Sequence, residues 1–376
     1  MEGDACVAPA DCATGSKLLK ELQMALKITV VGVGMVGEQI VSILRERNFP
    51  MDWPPKVCAT RQRSEVLAGE NFLVEETSED SFKGADFAFF AGREGAEGAS
   101  VMWRGAAEAA GAISVDNGSD FRMDPNVPLV VPEVNLDAIS PEDIFIASPN
   151  CSTIQMVMVL HPLHRVAKIR RVVVSTYQSV SGWGVRANEQ LFEQTPKALE
   201  NLDDIPFDPT VLARPIAFNY IPHIAKFGED GYTKEELKMV HETQKIMDDT
   251  SIRITATTVR VPVSVGHGES INIETEQKLT PDDAREILSS SPGITVLDEL
   301  NPENPRNDPL ERTYPTALDI RKPEYRDAVL VGRIREDKTI ENGLNLWCVS
   351  DNLRKGAALN VIQIGEGIIA KGMVKP

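Results

Sequence analysis

Apolar and polar positions follow two different rhythms along this chain. Up to about residue 150 the pattern is one of short, almost wholly apolar runs separated mostly by helical or loop segments. The run Lys27-Ile-Thr-Val-Val31, entered from Leu26, is rich in β-branched residues and stops at a glycine, as a buried strand does. A helix is predicted over roughly Met35 to Glu46, with Val36, Ile40, Ile43 and Leu44 on the face that packs back on a sheet. Further strand-like runs are Val57-Cys-Ala-Thr60, Ala85 to Ala91, Ala112 to Asp116, Leu129-Val-Val-Pro132 and Ile144 to Ser148. Such alternation predicts an α/β unit built on a parallel sheet of Rossmann type, covered on both faces.

Beyond residue 150 the runs lengthen. Ile169 to Gln178 and Ile252 to Val263 read as long strands, and Ile271 to Gln277 alternates with period two, as a sheet buried on one face does. Gln155 to Arg165 looks helical, and Ala357 to Ile369, rich in small and aliphatic residues, reads as a helix that returns to the first domain. The expected organisation is therefore a tail or extension over 1–24, a dinucleotide-binding domain over 25–150, a second, α+β domain over 151–350, and a returning helix over 351–376. The tail precedes a second methionine, Met24, and shows clear periodicity only from Ser16. No repeat of fixed period occurs.

Composition narrows the function classes. With 376 residues, 42% hydrophobic and 25% charged, the chain can bury a sizeable core and is not disordered. Its net charge of −17 repels phosphate backbones and anionic lipid, so neither nucleic acid nor a membrane surface is an expected partner. The sequence shows no apolar run near the length of about 18 residues that a spanning helix needs and no export signal, which makes the cytoplasm the expected location. The five cysteines, Cys6, Cys12, Cys58, Cys151 and Cys348, are too scattered for a disulfide framework, and neither they nor the five histidines have metal-ligand spacing, so no metal is expected.

Two junctions carry candidate chemistry. The first, Gly32-Val-Gly-Met-Val-Gly37, lies between a predicted strand and a predicted helix. Glycines there permit a tight turn and a close approach of pyrophosphate to the helix N-terminus, where free N–H groups attract anions. Gly32, Gly34, Met35, Val36 and Gly37 are accordingly expected to hold a dinucleotide. At the end of the second strand an NAD site usually has an acid, but this chain has Thr60, Arg61, Arg63 and Ser64, which suit a 2′-phosphate and favour NADP. The second junction is Ser148-Pro-Asn-Cys-Ser-Thr-Ile154 at the start of a helix, where the dipole favours a thiolate, and this singles out Cys151 as a nucleophile.

Pro149-Asn-Cys-Ser-Thr153, Ser175-Thr-Tyr-Gln-Ser-Val-Ser-Gly182, Ile221-Pro-His223, Val259 to His267 and Glu341-Asn-Gly-Leu-Asn-Leu-Trp347 carry a resemblance that runs from Leu26 onward, to the aspartate-semialdehyde dehydrogenase family. Asn117-Gly-Ser-Asp-Phe-Arg-Met123 and Asp351-Asn-Leu-Arg-Lys-Gly-Ala-Ala-Leu-Asn360 add to it. It implies an aspartate-pathway enzyme of lysine, threonine and methionine synthesis, with an NADP domain and a catalytic and dimerisation domain, active as a homodimer or homotetramer. Carried over by position, Cys151 is the nucleophile, His267 the acid–base group and Gln178 the residue that orients thiol and acyl group. Arg260 would grip the substrate carboxylate, Glu235 its ammonium, and Arg122 and Lys238 the phosphate, with Asn117 supporting the anion pocket. Ser181, Gly182 and Asn352 complete the cofactor set. The glycine turn is shorter than the family's Gly-x-x-Gly-x-x-Gly, and Trp183 stands where a small residue is common.

Two other readings remain open at this level. N-acetyl-γ-glutamyl-phosphate reductase shares the cysteine and histidine logic, but an acetylated nitrogen offers Glu235 no charge. A non-catalytic dinucleotide-binding sensor would have no need of Cys151 and His267.

Overall fold

The computed structural model describes residues 25–92, 95–304 and 306–374. The expected tail over 1–24, with Cys6 and Cys12, lies outside the described residues. Seven strands form the first sheet: β1 (Ile28–Val31), β2 (Lys56–Ala59), β3 (Arg63–Leu67), β4 (Glu70–Glu76), β5 (Phe87–Phe90), β6 (Ile113–Asp116) and β7 (Phe145–Ala147). Their order is β3-β4-β2-β1-β5-β6-β7, parallel throughout except for the β3–β4 hairpin. That hairpin was not expected from the sequence, because only Leu67, Phe72 and Val74 are buried in a short edge unit whose other residues are polar or, like Val66 and Leu73, exposed.

Alternation within the wholly buried strands explains the double cover. Ile28, Val30, Phe87 and Phe89 join one cluster with α1 (Met35–Glu46) and the C-terminal helix, while Val31, Ala88 and Phe90 join another beneath α2 (Ala99–Ala109). The run Leu129–Pro132 makes no strand: Leu129 forms a single bridge with Ala147, and Pro132, whose fixed φ suits a first helical position, begins the one-turn helix α3 (Pro132–Asn135).

The second sheet contains β8 (Ile169–Gln178), β9 (Arg253–Arg260), β10 (His267–Thr275), β11 (Ile294–Val296), β12 (Val329–Asp337) and β13 (Gly343–Ser350), in the order β11-β12-β13-β10-β8-β9. One face is buried under α4 (Cys151–Ala167), with α6 (Lys234–Ile246) and α7 (Pro281–Ser289) packed beside it; α5 (Val185–Glu200) precedes them in the chain. The other face, with Arg171, Tyr177, Ser270 and Asn272, stays partly open, in keeping with the period-two pattern. The last helix is longer than its apolar run suggests: a π-helical turn at Arg354–Ala358 leads into α8 (Leu359–Ala370), whose Leu359, Ile362 and Ile364 reach the first sheet's core.

Candidate active site

The glycine turn is shaped by backbone contact. Gly32 has φ of +112°, and a Cβ there would lie 2.7 Å from the Ala91 carbonyl group and the Gly92 nitrogen. At Gly37 a Cβ would lie 1.9 Å from the Gly32 carbonyl oxygen, so the first turn of α1 presses directly on the loop before it. Gly34 caps α1 without any side-chain hydrogen bond and has open space about it. This is a cradle that an anionic group fits, with helix-start N–H groups left for it. A cleft of about 410 Å³ runs from here between Met35 and Glu38 of α1 and Val185, Asn188 and Phe192 of α5.

The expected phosphate-binding residues run from the turn after β2, with Thr60 and Arg61, into the start of β3, with Arg63 and Ser64. Thr60, Arg61 and Ser64 are exposed, whereas Arg63 pairs with Glu65 at 2.8 Å and donates to the Arg61 carbonyl. Sheet pairing also brings Glu76 beside Ala59, an acid that reading along the chain does not place there.

The thiol junction has the same strand-to-helix form with a different finish. Cys151 is the first residue of α4, and Asn150 caps it: its side-chain oxygen accepts from the Ser152 and Thr153 N–H groups at 3.0 and 3.4 Å. The Asn150 amide donates to Glu235 at 2.9 Å, and its backbone N–H donates to Glu242 at 2.6 Å. Both carboxylates come from α6, two turns apart, where Glu235, Lys238, Glu242 and Lys245 share a face. A charged helical face usually points to solvent, but here Glu235 and Glu242 are 6% and 1% exposed. Lys238 stands 3.4 Å from Glu235, Arg122 stands 3.1 Å from Glu242, and Lys245 donates to the carbonyls of Arg122, Asp124 and Val127.

Neighbouring glutamates on this helix have separate tasks. Glu236 closes a capping box with Thr233 and accepts from the Thr258 N–H, so both its oxygens are spent on the fold. Glu235 faces the thiol. The structure thus separates the two acids by geometry, where the sequence could choose only by resemblance.

Gln178 and Arg260 are register partners at the ends of β8 and β9, and His267 starts β10 at the same end of the sheet. Gln178 donates to Glu235 at 3.4 Å, while Arg260 donates to the Ser179 carbonyl at 2.6 Å. A Cβ on Gly182 would lie 3.1 Å from both Arg260 Nη1 and His267 Nε2, so this exposed glycine roofs the two side chains. Gly356, in the π-helical turn, plays the matching part below: its Cβ would come within 3.0 Å of the Cys151 Cβ. That turn is held by the wholly buried Lys355, bonded to Glu133 at 2.7 Å, and by Arg354, bonded to Asp327 and Glu46.

Asn352 and Ser181 sit differently from the sequence expectation. Both are 3% exposed and hydrogen-bonded to one another at 2.9 Å, so their side chains brace the loop beside His267 rather than reach outward. Trp183 is 48% exposed. Asn117 turns its carbonyl to Arg122 at 2.8 Å.

Electrostatics at the thiol act in two directions. Burial, followed by the charge of Glu235, pushes the Cys151 thiol up to about 12, against the pull of Arg260, Arg122 and Lys238. Burial also works against the Glu235 carboxylate, but Lys238, the Asn150 amide, Arg260 and Arg122 outweigh it and hold that group below the ordinary range. Burial and then Arg260 push His267 down to about 3.

Sequence reasoning did not assign Asn150, Glu242, Ser179 or Gly356. An N-cap asparagine ahead of a helix was a usable signal for the first, and the seven-residue spacing from Glu235 for the second. Ser179 and Gly356 had none, since their roles arise from tertiary contact.

Comparison with known proteins adds independent findings. Residues 27–141 match a family model described as the semialdehyde dehydrogenase NAD binding domain, and residues 160–355 match the semialdehyde dehydrogenase dimerisation domain. The aspartate-semialdehyde dehydrogenase of Aquifex aeolicus is 45% identical, over 93% of this chain and 100% of its own length. That of Bacillus subtilis is 42% identical, over 91% of this chain and 97% of its own. Among solved structures, aspartate semialdehyde dehydrogenase II of Vibrio cholerae superposes with a TM-score of 0.82 at 38% identity, covering 92% of this chain and 99% of that one. The same Vibrio enzyme has been solved in complex with ASA.

Proposed function

The chain belongs to the aspartate-semialdehyde dehydrogenase family, and from that premise we propose that it reduces L-aspartyl 4-phosphate to L-aspartate 4-semialdehyde and phosphate, reversibly, through a thioacyl group on Cys151. The observation that carries this reading is the convergence of Cys151, Gln178, Glu235, Arg260 and His267 at one end of the second sheet, with Arg122 and Lys238 beside them.

Each group has a task that its chemistry suits. Arg260 offers a planar fork to the substrate carboxylate, and Glu235 offers a full charge to the ammonium. That ammonium also cancels the field with which Glu235 opposes the thiolate, so a free amino acid activates Cys151 by binding. The sulfur attacks the acyl carbon, the carbon–oxygen bond to phosphate breaks, and the thiol proton ends on the departing phosphate, which Arg122 and Lys238 hold. Gln178 and His267 flank the acyl group. A nicotinamide held there would supply the hydride that takes the thioester to the aldehyde, and Cys151, leaving as thiolate, regains its proton from water.

NADP is the proposed dinucleotide, held by the turn from Gly32 to Gly37 and by the cationic segment of Thr60, Arg61, Arg63 and Ser64. Ser181, Gly182 and Asn352 support the nicotinamide end, Asn352 by bracing. We assign binding of the dinucleotide to 25–150, catalysis and association to 151–350, and a closing helix to 351–376. A homodimer is proposed in keeping with the dimerisation-domain match and with exposed Phe218, Tyr220 and Phe227.

The test is NADP reduction with L-aspartate 4-semialdehyde. Reduction that depends on added phosphate, is weaker with NAD and is absent with an N-acetylated aldehyde supports the reading. Phosphate-independent reduction, or equal turnover of the acetylated compound, overturns it.

A further inference from the structure

We infer that Glu242 acts on the phosphate site through Arg122, as the resident counter-ion of that guanidinium, and sets how tightly phosphate is held. The inference rests on the proposed reading of Arg122 and Lys238 as the phosphate cations.

Two glutamates stand two turns apart on α6, and each is paired with one of those cations: Glu235 with Lys238 at 3.4 Å, Glu242 with Arg122 at 3.1 Å. The pairs differ in what can undo them. Glu235 stands in the site, where Asn150 and Gln178 donate to it and its charge acts on the Cys151 thiol. A substrate ammonium can therefore take it over and loosen its hold on Lys238. Glu242 is buried, and its second oxygen accepts from the Asn150 backbone N–H at 2.6 Å. Enclosed between that N–H and the guanidinium, it stays with Arg122 whether or not substrate is bound.

Arg122 is also fixed by other means. Its Nη2 donates to the Asn117 carbonyl at 2.8 Å, and Lys245 ties down its loop by donating to the carbonyls of Arg122, Asp124 and Val127. Loss of the Glu242 charge should thus change chiefly the charge that Arg122 presents, and less its position. That charge is felt in the site, since Arg122 pulls both the Cys151 thiol and the Glu235 carboxylate downward. A buried cation stripped of its partner is strongly destabilised, and an arriving anion makes up the deficit. Glu242 and phosphate are therefore linked through one guanidinium, each weakening the hold of the other. Such sharing suits a reversible reaction, in which phosphate has to leave as readily as it enters.

Two variants separate charge from shape. Glu242→Gln removes the charge at nearly constant size and can still accept from Asn150, whereas Glu242→Asp keeps the charge on a shorter stem. Inorganic phosphate is titrated into the full-length protein at fixed ionic strength, with NADP present to fill the glycine turn, and is read as protection of Cys151 against iodoacetamide. Glu242→Gln should be protected at phosphate concentrations at least about fivefold lower than wild type, and Glu242→Asp within about twofold of wild type. Without phosphate, Glu242→Gln should melt below wild type, and phosphate should raise its melting temperature by more than it raises that of wild type. A purely structural role would weaken protection in both variants. An equal or higher phosphate requirement in Glu242→Gln, with wild type still protected, overturns the inference and leaves the phosphate reading standing. Failure of Glu242→Gln to fold even in phosphate overturns it too, because the anion is expected to restore the balance of charge. If phosphate does not protect wild type, the phosphate reading itself falls, and the inference with it.

Discussion

The two strand-to-helix junctions at the C-terminal ends of β1 and β7 share a plan and differ in their finish. After β1 the chain turns through Gly32 and Gly34 into α1, and no side chain caps the helix. After β7 it turns through Pro149 and Asn150 into α4, and the Asn150 side chain takes the first free N–H groups for itself. One helix start is left open to an anion from outside. At the other, the donors are satisfied internally and what is presented is a thiol, ringed by charges from α6 and β9. Backbone shape makes the first a binding site; paired side chains make the second a reactive one.

The largest expected effect falls on the second junction. Cys151→Ala should reduce turnover by at least about 10⁴-fold, since the nucleophile acts as a unit with its neighbours. NADP affinity, measured by quenching of cofactor fluorescence, should stay within about twofold of wild type. Full activity in this variant would break the contrast between the junctions.

The first junction should respond in the opposite sense. Gly34→Ala, with open space about it and φ of −72°, should fold normally yet weaken NADP by about tenfold, because the added methyl stands where the anion approaches. Gly37→Ala should instead disrupt the turn and lower the melting temperature sharply, because its Cβ meets the Gly32 carbonyl. Alkylation of Cys151 by iodoacetamide should be unchanged in Gly34→Ala. A shift in thiol reactivity there would show the junctions to be coupled.

How much could be read beforehand follows the same division. The glycine turn, the limits of α1 and the span of β8 were legible because they rest on local propensity and apolar period, which neighbouring residues carry. Cys151 was singled out by its place at a helix start as well as by motif resemblance, Arg260 and His267 by resemblance alone. The face of α6 was not legible: a helix bearing Glu235, Lys238, Glu242 and Lys245 on one side reads as solvated until Asn150 and Arg122 are seen to receive it. The β3–β4 hairpin and the fate of Leu129–Pro132 were missed for a related reason, since edge pairing and a helix-initiating proline override short apolar runs.

A smaller effect is expected at the cap. Asn150→Ala removes the side-chain acceptor of α4 and a donor to Glu235, and should cost about 1–2 kcal/mol of stability. In a chain of this size that is a fall of about 1–3 °C in melting temperature. Turnover should also decline, while NADP affinity holds. An unchanged melting temperature would show that the cap is replaceable by water.

Outside both junctions, a pH dependence of stability is expected, with no change in either site. Burial raises Glu269, beneath His267 on β10, from an ordinary 4.5 to about 8. Between those values the folded chain keeps a proton that the unfolded chain has released, so stability falls as pH rises from about 4.5 to about 8. Glu269→Gln should flatten that slope in melting temperature against pH. An identical slope would assign it to other groups.

The most direct test of the central claim, that Cys151 carries the acyl group, is a trapping measurement. The wild-type protein is incubated with L-aspartate 4-semialdehyde and NADP in the absence of phosphate, so that the thioester forms and has no acceptor, and the peptides are weighed. The account predicts an aspartyl adduct on the peptide containing Cys151, discharged by added phosphate. An adduct on Cys58 or Cys348, or NADP reduction to completion with every cysteine unmodified and no phosphate present, would contradict it.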